Sequence, residues 1–142
     1  MEQDICTTVE QSKRLLELGL DESTADMGWN IFSDKSTRLL PITDWDLVKD
    51  GEYGVKTVPA WSLGRLLRIM PYRGQYAPSV YKFDGMYFCS YLNEDSVCEI
   101  EFHSKDSEVE PAYQMLCWLL ENMDMEEMII REYGCRINKM EE

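Results

Sequence analysis

The sequence predicts an α+β domain: a small antiparallel sheet, built from a hairpin and a third strand with further strands where residues 29–42 supply them, packed by three or four helices. Three observations lead there. Asp84-Gly85 sits between two short runs of aromatic and apolar residues, the strongest short-range hairpin signal. Leucines between Pro59 and Pro71 repeat at helical spacing, and a second apolar stripe follows Pro111. The chain of 142 residues fits one domain, 1–142, with about 135–142 as a frayed tail. Apolar residues make up 44%, enough for a core without metal or disulfide support.

The first helix has clear ends. Thr8 and Gln11 suit a capping box, Leu15 and Leu16 give the apolar stripe, and Gly19 is a left-handed stop. Leu20 after that glycine is placed to close onto Leu15. A short second helix is expected from Ser23, with Asp26 near its positive end. Trp29–Phe32 and Arg38–Ile42 read as strands around the turn-like Ser33–Ser36, whereas Asp44 to Gly54 reads as loop.

In the helix between the prolines, Leu63, Leu66, Leu67 and Met70 form one face. Its start is open between Pro59 as first helical residue and Ser62 as N-cap. Pro71 ends it. The hairpin pairs Phe83 with Met86 and Tyr81 with Phe88 on one face, expected to be the core face. Lys82–Tyr87 and Val80–Cys89 fall on the other. A third strand runs from Val97 to His103, with Cys98, Ile100 and Phe102 alternating against Glu99, Glu101 and His103. The last helix begins near Pro111 and presents Met115, Leu116, Leu119, Leu120 and Met123. Beyond it, either Asp124 and Glu127 cap a separate helix ended by Gly134, or one bent helix continues.

Charge is unevenly distributed. The net charge is −13, yet Tyr53–Phe83 holds five basic residues (Lys56, Arg65, Arg68, Arg73, Lys82) and no acid. Residues 1–52 carry five basic residues against twelve acidic, and 84–142 carry four against fifteen. Such a balance disfavours direct binding to nucleic acid or to an anionic membrane, and suits a basic protein surface. No apolar run approaches a bilayer span and no secretory signal is visible, so a cytoplasmic setting is expected. The five widely spaced cysteines fit reduced thiols there.

Motifs of reaction chemistry are missing: no nucleophile elbow, Walker loop, dinucleotide fingerprint, zinc-protease helix or EF-hand loop. No cofactor or metal is expected. The residues left for catalysis are Glu99, Glu101 and the sole histidine, His103, which would share one face of the third strand. Successive strand residues on one face point in parallel, so a solvated sheet face accounts for them as well. For partner binding, Arg65 and Arg68 lie opposite the leucine face, joined by Trp61 if the helix has begun there. An indole beside two guanidiniums can grip a protein partner. An exposed hairpin edge or the Met-rich final segment offers a surface for a homodimer.

Two segments stand out together: Glu10-Gln11-Ser12-Lys13-Arg14-Leu15-Leu16-Glu17-Leu18-Gly19-Leu20 with Thr24-Ala25-Asp26-Met27, and Pro59-Ala60-Trp61-Ser62-Leu63-Gly64-Arg65-Leu66-Leu67. With the later helix containing Cys117-Trp118-Leu119-Leu120-Glu121, they resemble a family of small uncharacterised proteins from gut Bacteroidetes and their phages or prophages. The resemblance implies a bacterial or phage cytosolic source and brings no binding residues with it. The reading that follows is a non-enzymatic protein-interaction module of a phage or mobile element. The alternatives are an acidic nucleic-acid mimic that blocks a DNA-binding or defence protein, its carboxylates drawn from Glu94–Glu110 and Asp124–Glu142, and a small enzyme using Glu99, Glu101 or His103.

Overall fold

The computed structural model describes residues 5–41 and 56–122. Within them the chain folds as α1 (Val9–Glu17), β1 (Met27–Ile31), β2 (Thr37–Pro41), β3 (Lys56–Ala60), α2 (Leu63–Ile69), β4 (Ala77–Phe83), β5 (Met86–Leu92), β6 (Cys98–Ser104) and α3 (Val109–Asn122). The strands form two antiparallel three-stranded sheets, ordered β2-β1-β3 and β4-β5-β6. The architecture is therefore α+β with small sheets, and residues 29–42 contribute to a sheet separate from the hairpin's. The loop at 44–54, Met123, the helix beyond Asp124 and the tail at 135–142 lie outside the described residues. Among the described residues no helix is long and apolar enough to cross a membrane.

α1 forms where its caps place it. The Thr8 hydroxyl accepts from Gln11 N–H at 3.1 Å, and the Gln11 side chain accepts from Thr8 N–H at 2.9 Å. At the other end Gly19 adopts φ 100°, a conformation costly for any residue with a Cβ. That bend lets Leu20 N–H reach Leu15 C=O and Gly19 N–H reach Leu16 C=O, each at 3.0 Å. This is the double bond pattern of a Schellman end, and both Leu15 and Leu20 are buried.

The expected helix from Ser23 is instead a 3-10 turn over Glu22–Thr24, capped by Asp21 through Ser23 N–H. It stops because β1 begins at Met27. Asp26 does serve a helix N-terminus, but a distant one: its carboxylate accepts from the backbone N–H and hydroxyl of Ser62, the N-cap of α2.

β1 and β2 pair in register Trp29↔Leu39 around the expected turn, closed by Phe32 N–H to Ser36 C=O. Asp34 takes two hydrogen bonds from Ser36, which hold its carboxyl below the usual range. β3 was not expected, because the sequence leaves the helix start open between Pro59 and Ser62. Pro59 instead lies opposite Gly28 in a strand bonded only to β1, and an edge strand tolerates a missing N–H. Ser62 is thus the N-cap, its hydroxyl accepting from Arg65 N–H. Leu66, Ile69 and Met70 are the buried residues at α2, with Leu63 and Leu67 partly buried beside them.

The hairpin has the expected register: Phe83↔Met86, Lys82↔Tyr87, Tyr81↔Phe88, Val80↔Cys89. Asp84 and Gly85 both take positive φ, 52° and 77°, as a two-residue primed turn requires. The core face is the opposite of the one expected. Cys89 and Tyr91 are buried, and Val80, Ile100 and Phe102 pack with them against Met115, Leu116 and Leu119 of α3. Phe83 and Tyr81 remain exposed. The helix covers whichever face also matches the apolar residues of β6, where Ile100 pairs with Tyr91 and Phe102 with Cys89. The cluster beneath α3 also takes in Leu15, Trp61 and Leu66; a smaller one gathers Cys6, Trp29, Val58 and Ala60.

Candidate interaction surface

The basic segment does not form one patch. Trp61, expected beside Arg65 and Arg68 on the surface, is 0% exposed. It precedes the N-cap and so is not on the helix at all. Its backbone N–H donates to the Thr7 hydroxyl at 3.1 Å, its C=O accepts from Thr7 N–H at 2.9 Å, and its indole N–H donates to the Thr24 hydroxyl at 3.0 Å. Trp61 is therefore a core residue. Arg68 is exposed and Arg65 half-buried on α2. Lys56 opens β3, and Lys82 lies over the Tyr87 ring at 5.3 Å.

Arg73 is held firmly. Its guanidinium bonds the Glu99 carboxylate at 2.9 Å and lies over the rings of Trp118 at 5.0 Å and Tyr91 at 6.0 Å. This separates the expected trio on β6. Tyr91 pairs with Ile100 and Leu92 with Cys98, so Glu99 is the extra residue of a bulge. Its carboxylate turns to Arg73, while Glu101 and His103 stay on the outer face. The three groups do not converge on one point. Among the described residues no group of three or more His, Cys, Asp or Glu is placed to hold a metal ion.

The outer face of β4-β5-β6 has its own organisation. Tyr81 and Phe88 stack at 5.2 Å with an interplanar angle of 11°, and Phe88 meets His103 at 5.8 Å. One cross-strand row therefore runs Tyr81–Phe88–His103. The next row holds Ser90 and Glu101, directly paired. Glu101 Oε2 accepts from the Tyr81 hydroxyl at 3.1 Å and from the Ser90 hydroxyl at 3.0 Å, with Cys98 Sγ at 4.0 Å. Ser90 is buried although it faces outward, because these neighbours close over it. At the turn end Phe83 follows Tyr81 on the same face and is 68% exposed.

Local sequence does not mark Tyr81, Phe83 and Phe88 as surface residues, because aromatic cross-strand pairs suit a core face equally well. The signal that places them outside is the alternation of β6: once Ile100 and Phe102 face inward, Glu101 and His103 share the outer face with Ser90 and Phe88.

A concavity of about 310 Å3 is lined by Arg14, Phe102, Tyr113, Cys117 and Trp118. Burial pushes the Tyr113 hydroxyl and the Cys117 thiol up. Burial also raises the Cys89 thiol to about 12, and burial with the nearby Glu101 charge raises Cys98. A cysteine nucleophile needs the opposite shift. In timed alkylation at pH 8, mapped by mass spectrometry, Cys98 is expected to react first among the cysteines of the described residues but more slowly than an unperturbed thiol, and Cys89 only on unfolding. Rapid labelling of Cys89 in the folded chain would contradict its burial.

No protein-family model, no curated protein and no solved structure matches this chain.

Proposed function

We propose that the chain is a non-enzymatic protein-interaction module that docks a partner on the outer face of β4-β5-β6, in the phage or mobile-element setting that the resemblance of its two segments implies. The observation that carries this reading is the aromatic row Tyr81–Phe88–His103 with Phe83 beside it, left open among the described residues. Soluble proteins seldom leave contiguous apolar patches open, and polar-rimmed ones mark interaction sites. Aromatic residues are enriched at such interfaces, where large rings lose little conformational freedom on binding.

The alternatives have less support. A nucleic-acid mimic needs its carboxylates free and regularly spread, yet Glu99 is neutralised by Arg73. Glu110 accepts from Gln11 and Gln114. For an enzyme, Glu101 and His103 lie on an exposed sheet face, where water competes for every charge.

The test is affinity capture from bacterial lysate with the native chain and with Phe83→Asp/Phe88→Ala. The variant is expected to lose the specifically retained proteins. Phe83→Asp alone should shift stability by no more than about 0.5 kcal/mol, as at other exposed sites. Recovery of nothing but the chain itself, or an unchanged set with the variant, overturns the proposal.

A further inference from the structure

The interaction reading leaves the chemistry of the partner open, and the charges around the outer face narrow it. All three contacts to Glu101 end on Oε2. Oε1 has no hydrogen bond among the described residues, so the carboxylate still presents an acceptor beside the aromatic row. The hydroxyls of Tyr81 and Ser90 hold the group in place, so little side-chain freedom remains to be lost when a partner arrives.

The surroundings are also negative. From Ala77 to Asp106 the chain carries two lysines against six carboxylates. Asp84 marks the hairpin turn, and Glu94 and Asp95 mark the turn at the other end of β5. Of the local cations, Lys82 lies over Tyr87, which belongs to the opposite face, and Arg73 is spent on Glu99. Lys105 follows β6 directly, and His103 and Cys98 share the face with Glu101. An anionic partner would bring like charge toward Glu101 in a chain of net charge −13.

We propose that the occupant of this face is a basic protein segment that sets an arginine or lysine on Glu101 and an adjoining apolar side chain on Tyr81 and Phe88. The inference rests on the interaction reading. The two elements make different contributions: the aromatic row supplies apolar area, and Glu101 supplies preference for a cation. Glu101 therefore decides which partners are accepted, and the rings decide how strongly any partner is held.

The test titrates the full-length, isotope-labelled chain with three probes: a capped nonapeptide alternating leucine and arginine, one alternating leucine and serine, and single-stranded oligothymidine. Backbone amide shifts report the site. The leucine–arginine peptide is expected to move Phe88, Ser90 and His103 and to bind more tightly than the serine peptide. Glu101→Gln keeps a hydrogen-bonding group of the same shape. It should weaken the arginine peptide roughly tenfold, the size of a charge-assisted bond, and leave the serine peptide unchanged. Glu17→Gln, on α1, should change neither. Phe88→Ala should weaken both peptides. Equal loss with Glu17→Gln and Glu101→Gln would reduce the effect to general attraction and overturn the inference. If the serine peptide binds the face as well as the arginine peptide, the basic segment is ruled out while the interaction reading stands. A face silent to both peptides overturns that reading too. Shifts at Phe88 and His103 with oligothymidine would replace the protein partner by nucleic acid.

Discussion

Trp61→Ala is expected to remove about 3–5 kcal/mol of stability, a large part of what a domain of this size possesses. The loss has two sources. Truncation opens a void where a fully buried indole packs in the main core cluster with Leu15, Leu66 and Met115. It also removes the indole N–H donor to the Thr24 hydroxyl, in the turn that leads into β1. Trp61→Phe separates the two sources: it keeps most of the volume and should cost about 1–3 kcal/mol, chiefly from the lost hydrogen bond. Arg68→Ala, on the exposed side of α2, should stay within about 0.5 kcal/mol. Urea unfolding of the three variants checks the order. A Trp61→Ala loss below about 1 kcal/mol would mean that the indole is not in the core, and would return it to the surface beside the arginines.

The misplacement of Trp61 follows from what local sequence carries. Its aromatic character and its spacing to Arg65 fit a helix face, but the helix begins two residues later. The residues that fix this start are Ser62, whose capping role is locally readable, and Asp26, whose contact with Ser62 is not. β3 was hidden for a similar reason. Lys56–Ala60 has no alternation and contains a proline, so only pairing with β1 makes it a strand. By contrast, the α1 capping box, the Gly19 stop and the Asp84-Gly85 turn depend on neighbours within five residues, and each is found as expected. The candidate surface lies between these cases. Its register was readable from the turn, whereas its orientation depends on α3, which packs from the far end of the described chain. The bulge at Glu99 was likewise invisible, since it answers to Arg73 rather than to any pattern within β6.

Orientation of the hairpin gives the second large effect. Tyr91→Ala is expected to cost about 3–5 kcal/mol, because the ring is fully buried under α3 and its hydroxyl donates to Pro71 C=O at 2.8 Å. Tyr91→Phe should cost about 1–3 kcal/mol by leaving that carbonyl without its donor. Phe88→Ala, three residues earlier in the same strand, should cost only about 1 kcal/mol, the value of its stacking on Tyr81 and of a half-buried ring. Two aromatic residues in one strand thus differ severalfold in energetic weight because they point to opposite faces. Denaturation midpoints with unchanged slopes would establish the order. If Phe88→Ala proved as damaging as Tyr91→Ala, the outer face would have to be covered within the chain itself. The aromatic row would then be core, Glu101 would be closed to a partner, and both the interaction module and its basic partner would fall together. A small Phe88 effect beside a large Tyr91 effect is therefore the condition on which the docking surface depends.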